Sequence, residues 1–223
     1  MNSRWIVVLA LGIFALLAVA AGFYSDAAVR SAVVASQGKN WKKSPEGRFH
    51  QKVRVWGDWP ALMGYSAAGL LAARLARSRK WIRILLAAAI ASTLAGIVAN
   101  ASRLTTGRTR PKESPKIEQG FYGPWKDGKL LIGQPAYNSF PSGHTATAFG
   151  LAVVILLASP LWGIPALLGA GLVAWSSIVT GNHHPSDVVV SVILASLIAW
   201  LVWRRMQAVD DRRIDRCFRI PSP

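Results

Sequence analysis

The chain is poor in acids and has almost no cysteine. Only ten Asp and Glu stand against 26 Lys and Arg in 223 residues, a formal charge of +16. The lone Cys217 allows no internal disulfide and excludes a cysteine-rich metal site. A two-metal centre needs several converging carboxylates or histidines, and a chain with so few acids is badly placed to supply them. Neither an internal repeat nor a low-complexity tract is visible. A charge of +16 by itself fits a nucleic-acid binder. Here, however, the positives flank apolar blocks, the pattern of membrane orientation and of contact with anionic lipid. No nucleic-acid partner is expected.

The apolar residues, 52% of the chain, are gathered rather than dispersed. They form blocks at 5–23, 59–76, 81–99, 144–158, 161–179 and 186–203. A membrane span takes about 20 residues, with a range of about 17–25. The block at 59–76 is interrupted only by Arg74, and the short block at 144–158 opens after Pro141. The uncharged run LAVVILLASPLWGIPALLGAGLVAW (151–175) has no face to show to water, which argues against a soluble helical bundle. Residues 1–24 carry features of a signal peptide, with Arg4 before the apolar run and AVA at 18–20. An apolar run of this length fits a retained span better. The expectation is an all-α polytopic membrane protein, a single domain over 1–223 with six transmembrane helices.

Orientation follows from the cations near span ends. RLARSRKWIR (74–83) and WRRMQAVDDRRIDRCFR (203–219) are strongly basic and are expected on the cytoplasmic face, as is Arg4, with a cytoplasmic tail over 204–223. Alternation then puts loops 24–58 and 102–140, and the turn at 180–187, on the outer face. The segment 24–58 resists this rule, because Arg30, Lys39, Lys42, Lys43, Arg48, Lys52 and Arg54 make it basic as well. Trp41, Phe49, Trp56 and Trp59 among those cations suggest that 39–59 lies in the headgroup layer, where it would collect anionic lipid. The expected location is the inner (plasma) membrane, with the working face outside the cytoplasm.

Three polar clusters interrupt the apolar text: RLTTGRTRP (103–111), PSGH (141–144) and GNHHPSD (181–187). Six alternating spans bring all three to one face, and the last two hold three of the four histidines. Arg103, Arg108 and Arg110 offer guanidinium forks that bind phosphate bidentately and stay charged. Ser142 is a natural N-cap and Gly143 allows close backbone approach, so the free N–H groups of the helix start form an anion site. His144 beside it is placed to move a proton near neutral pH. Pro185 suits a first helical position, and Asp187 then turns back toward His183. That carboxylate would fix the imidazole tautomer and leave the other ring nitrogen as nucleophile. His184 is a second candidate for either histidine task. A single metal held by His144, His183 and Asp187 is the remaining alternative.

The order R-x6-RP, PSGH, H-x3-D over 103–187 resembles the type 2 phosphatidic acid phosphatase (PAP2) superfamily, which also holds vanadium haloperoxidases and glucose-6-phosphatase. The family pattern is K-x6-RP, PSGH, SR-x5-H-x3-D. The resemblance implies a PAP2-like helical bundle and a lipid phosphate phosphatase working through a phosphohistidine, with no cofactor and no metal; a lipid phosphotransferase using the same intermediate, or a non-catalytic lipid-phosphate binder, is the alternative. It gives phosphate binding to Arg103, Arg110, Ser142 and Gly143. It makes His183 the nucleophile, Asp187 its support, and His144 the acid for the leaving alkoxide. Its substrate would be an anionic lipid phosphate held at the bilayer surface. There are two departures: arginine replaces lysine at 103, and Ser176-Ser177 stands where the family has Ser-Arg. Arg108 is the candidate to replace the arginine missing at 177.

Overall fold

A computed structural model describes residues 3–38, 40–114 and 116–218. Lys39 and Arg219, counted among the cations above, lie outside the described residues, as does the side chain of Arg4. These residues form eight α-helices: α1 (Ser3–Ser36), α2 (Pro45–Trp56), α3 (Trp59–Leu75), α4 (Arg79–Thr106), α5 (Gly143–Ala158), α6 (Pro160–Val179), α7 (Pro185–Gln207) and α8 (Asp211–Phe218). The only strands among the described residues are β1 (Trp125–Lys126) and β2 (Lys129–Leu130), an antiparallel hairpin in the 107–142 loop.

By length and composition, four helices among the described residues, against the six spans expected, are long and apolar enough to cross a membrane: α1, α4, α6 and α7. At 16 residues α5 is a shorter apolar helix, and α3 has 17. Large apolar side chains point outward along these helices. Leu16, Leu161, Leu168 and Trp175 are all well exposed, and in water such a surface would associate. These faces meet lipid.

The interior is built from small residues. Ala87, Ala88, Ala91, Ala95 and Ala99 of α4 are fully buried, packed with Ala146 and Val154 of α5 and Ala195 and Ala199 of α7. Lipid gives helices no hydrophobic reason to associate, so close backbone approach and dispersion must hold them. Gly150 marks the tightest point: a Cβ there would stand 2.9 Å from the Ala91 carbonyl oxygen and 3.0 Å from Ser92 Cα. Backbone atoms cannot swing aside. Gly150→Ala is therefore expected to destabilise the protein by about 1–3 kcal/mol through overpacking, read as a lower unfolding midpoint in detergent. An unchanged midpoint would mean that α4 and α5 do not pack this closely.

Two segments differ from the sequence expectation. The stretch 24–58, expected as a loop, is mostly helix. At 34 residues α1 is about 51 Å long at 1.5 Å per residue, well beyond the apolar thickness of about 30 Å. Its C-terminal third, still apolar enough to continue the helix, stands beside the start of α7. A 3-10 turn at Trp41–Lys43 leads into α2, capped by Ser44, which buries Gly47, His50 and Val53. At the opposite end of the bundle, the amphipathic α8 seats Ile214 against Ala73 and Ile82. Asp215 meets Arg79 at 2.7 Å and Asp211 meets Arg83 at 2.5 Å. The two basic stretches thus come together away from the histidines.

Candidate active site

Turns at the ends of α4, α5 and α6 bring the three polar clusters together. At the end of α4, Gly107 takes a left-handed φ of 53°, and a Cβ there would lie 1.9 Å from the Gly123 carbonyl oxygen. Glycine is needed for this reversal, which sends Arg108 and Arg110 in different directions.

His183 sits in the turn between α6 and α7 and is 1% exposed. Its Nδ1–H donates to the Ser139 carbonyl oxygen at 2.6 Å, a tautomer assigned from this partner. Nε2 has no hydrogen-bond partner among the described residues. Burial pushes the imidazole down to about 4; Arg103 and Arg110 add to this and Asp187 opposes it. The ring is therefore neutral near pH 7, with its Nε2 lone pair free.

Asp187 works differently from the expectation. Its Oδ2 lies 3.6 Å from His183 Nδ1, too far for a hydrogen bond. It accepts instead from the His184 N–H at 2.7 Å and from the Ser139 hydroxyl at 2.5 Å. Asp187 thus holds the loop whose carbonyl holds His183, and acts on the ring only through its charge. His184 caps α7, and its Nε2–H donates to the Thr109 carbonyl oxygen at 3.1 Å. Buried in that bond, it does not share the position of His183.

His144, in the first turn of α5, places Nε2 2.6 Å from Asp58 Oδ1 and lies within electrostatic range of His183. A cavity of about 210 Å³ opens here, lined by Asp58, Asn100, Arg103, Gly143 and His144 among others. Arg103 donates from Nε to the Pro141 carbonyl oxygen at 2.9 Å and from one terminal nitrogen to Asn100 at 3.1 Å. Its other terminal nitrogen is buried without a partner among the described residues. A Cβ on Gly143 would come within 2.9 Å of that guanidinium, so glycine lets the arginine lie across the helix start. Ser142 is fully buried, sharing a hydrogen with the Thr145 hydroxyl at 2.9 Å, while its own N–H donates to Ser191 at 2.8 Å. Arg110 donates to Asn182 at 3.1 Å, and its Nε is buried without a partner among the described residues. Lys112 reaches the same Asn182 oxygen at 3.0 Å. Burial, Arg110 and Lys42 lower its ammonium to about 8, against the pull of Glu113.

Arg108 corrects a sequence expectation. It is not turned toward this cavity. It is 6% exposed and forks onto two carboxylates, Asp187 and Asp26, with Ser186 at 2.6 Å. Phe121 covers it, the guanidinium carbon 4.6 Å from the ring centroid. Asp26 also accepts from the Ser186 N–H at 3.0 Å. Arg108 therefore neutralises buried acids behind the histidine instead of binding phosphate.

Sequence reading missed Asp26, Asp58, Ser139 and Lys112. Asp26 and Asp58 carried a usable signal: a scarce acid at the edge of an apolar helix demands a partner. Ser139 acts partly through its carbonyl, which no side-chain pattern reports. Among the described residues, no three His, Cys, Asp or Glu side chains approach closely enough to hold a metal ion.

The chain is similar in sequence and in fold to known proteins. A lipid A 1-phosphatase of Porphyromonas gingivalis is 30% identical over 169 residues, 70% of this chain and 32% of that protein. An undecaprenyl-diphosphatase of Bacillus subtilis is 35% identical over 74 residues, 33% of this chain and 38% of that protein. The matched stretch thus spans about a third of these relatives. A crystal structure of a transmembrane PAP2 type phosphatidylglycerolphosphate phosphatase from Bacillus subtilis superposes with a TM-score of 0.58 at 19% identity. It covers 91% of this chain and 96% of that one, and so shares the fold. The family model of the PAP2 superfamily matches residues 81–211, more than half the chain and all three polar clusters, and the protein belongs to that superfamily.

Proposed function

We propose that the protein is an integral-membrane phosphatase that removes phosphate from a lipid phosphate or diphosphate through a phosphohistidine on His183. One observation carries this reading. The Nδ1–H of His183 is tied to a backbone carbonyl, so Nε2 keeps its lone pair within electrostatic range of Arg103 and Arg110, whose buried N–H groups have no partner among the described residues.

The substrate phosphate sits against Arg103, Arg110 and the N–H groups of the first turn of α5, which supply charge and direction. Ser142 shapes that turn. His183 Nε2 attacks phosphorus as the bond to the lipid oxygen breaks, and His144, protonated once the phosphate is bound, gives its Nδ1 proton to the departing alkoxide while its Nε2–H stays on Asp58. Asp58 holds His144 in register for that transfer. Water, deprotonated by His144, then attacks the phosphohistidine; phosphate leaves and His183 returns neutral. No step uses a metal. Acyl or prenyl chains stay in lipid while the headgroup enters the cavity.

The substrate classes are phosphatidic acid, phosphatidylglycerol phosphate, undecaprenyl diphosphate and lipid A phosphate. The lipid A 1-phosphatase and the undecaprenyl-diphosphatase among the relatives support this range. The basic end formed by 74–83 and α8 supports a cytoplasmic position for that end, with the histidines on the extracytoplasmic side. The test is a panel of these lipids presented in detergent with a chelator, with phosphate release as readout. Release from at least one lipid is expected. Release only when a divalent metal is added would overturn the mechanism; binding without release would leave a lipid-phosphate binder.

The pH profile follows from two groups. His183 must be neutral, so kcat/KM falls as pH drops toward about 4. Lys112 must be charged to help hold the anion, so kcat/KM falls as pH rises past about 8. Lys112→Arg is expected to move the alkaline limb upward, because guanidinium keeps its charge. An unmoved limb assigns it to another group.

A further inference from the structure

Position 177, where the family pattern has arginine, holds a fully buried serine whose hydroxyl donates to the Val173 carbonyl oxygen at 2.9 Å. The segment lying over that stretch of α6 is α2. His50 of α2 meets the Ser176 hydroxyl at 2.9 Å, and Val53 packs in one cluster with Ala170 and Val173. The next residue along α2 is Arg54. Its Nε is buried without a hydrogen-bond partner among the described residues. Its charge is felt by His144 and Lys112, and Arg110 acts on it in turn. The acid acting on Arg54 is Asp58, already engaged by His144.

Three guanidiniums from three elements thus act on His144, and each keeps a buried N–H with no partner among the described residues: Arg54, Arg103 and Arg110. Burying such donors is costly unless something accepts from them. Like charges gathered without matching acids raise that cost further. A tetrahedral dianion with several oxygens relieves both. We propose that Arg54 is a phosphate-binding catalytic residue, clamping the transferring phosphoryl group from α2 in the role that an arginine of α6 would otherwise fill. The inference rests on the proposed phosphatase reading. It also accounts for the basic character of 24–58: at least one of those cations serves the anion site instead of reporting orientation.

The experiment uses the purified full chain with orthovanadate, a mimic of phosphate and of its transition state, beside lipid turnover. Arg54→Ala is expected to lower kcat/KM by on the order of a hundredfold and to abolish the rise in unfolding midpoint that orthovanadate gives wild type. Its midpoint without ligand should stay level or rise, because a repelling cation has gone. Added guanidinium ion should restore part of the lost rate, which it would not do for a packing defect. Arg54→Lys should fall between, and Arg48→Ala, exposed on the same helix, should match wild type. If Arg54→Ala does not survive purification, Arg54→Gln keeps the aliphatic stem and carries the same expectations. Kinetics within threefold of wild type, or an orthovanadate shift unchanged in the variant, overturns the proposal. If wild type binds orthovanadate through Arg54 but releases no phosphate from any lipid, the anion site stands and the phosphatase reading falls. If wild type neither turns over lipid nor responds to orthovanadate, both fall.

Discussion

His183→Asn is expected to reduce phosphate release by at least about 10⁴-fold, the scale on which loss of a nucleophile acts in a catalytic constellation. Asparagine is the informative replacement. Its side-chain NH₂ keeps a donor toward the Ser139 carbonyl oxygen, so the loop held by Asp187 stays in place while the attacking nitrogen is gone. A wild-type unfolding midpoint with no turnover would therefore locate the defect in chemistry. The same assignment predicts the behaviour of His144→Ala. With a lipid alkoxide as leaving group, that variant stalls before phosphoryl transfer. With a phenolate leaving group, which departs without a proton, phosphorylation proceeds and the phosphoenzyme accumulates, because no base activates water. The label should be acid-labile and alkali-stable, and absent from His183→Asn. A phosphoenzyme in His183→Asn would move the nucleophile elsewhere.

Arg108→Ala is expected to destabilise the protein by about 3–5 kcal/mol, the cost of removing one partner from a buried ion pair. Asp187 is fully buried and Asp26 is 6% exposed, and both would lose the guanidinium between them. Arg108→Lys should recover little, since one ammonium cannot serve Asp26 and Asp187 as a planar fork does. Asp26→Asn in the Arg108→Ala background should regain part of the loss by removing one stranded charge. Unfolding midpoints in detergent read all three. The contrast with Arg54 is the point. Arg108 lies behind the site among acids and aromatic rings, so its loss appears in stability. Arg54 lies among cations, so its loss appears in ligand response. A stable Arg108→Ala that no longer binds orthovanadate would return Arg108 to the phosphate.

The polar clusters were legible because apolar helices leave so few places for charge. His144, His183, Asp187, Arg103 and Arg110 stand out by spacing alone, and alternation of spans predicts that they meet. The division of labour among them was not legible. Arg108 and Arg110 are two residues apart, yet the Gly107 reversal sends one to buried acids and the other to Asn182, beside His183 in sequence. Asp187 sits four residues after His183, the right spacing for support, but the Ser139 carbonyl from a distant loop takes the imidazole proton.

Composition and periodicity determine the helices, their burial in lipid and the end of the bundle where polar chemistry gathers, because these depend on solvent preference summed over many residues. Which guanidinium faces an anion and which faces a carboxylate depends on a few ångströms between α1, α2 and α7. Asp26 and Arg54 reach their places only once α1 runs on to Ser36 and α2 folds back over α6. Those placements come from packing between segments remote in the chain, and local spacing carries no record of it.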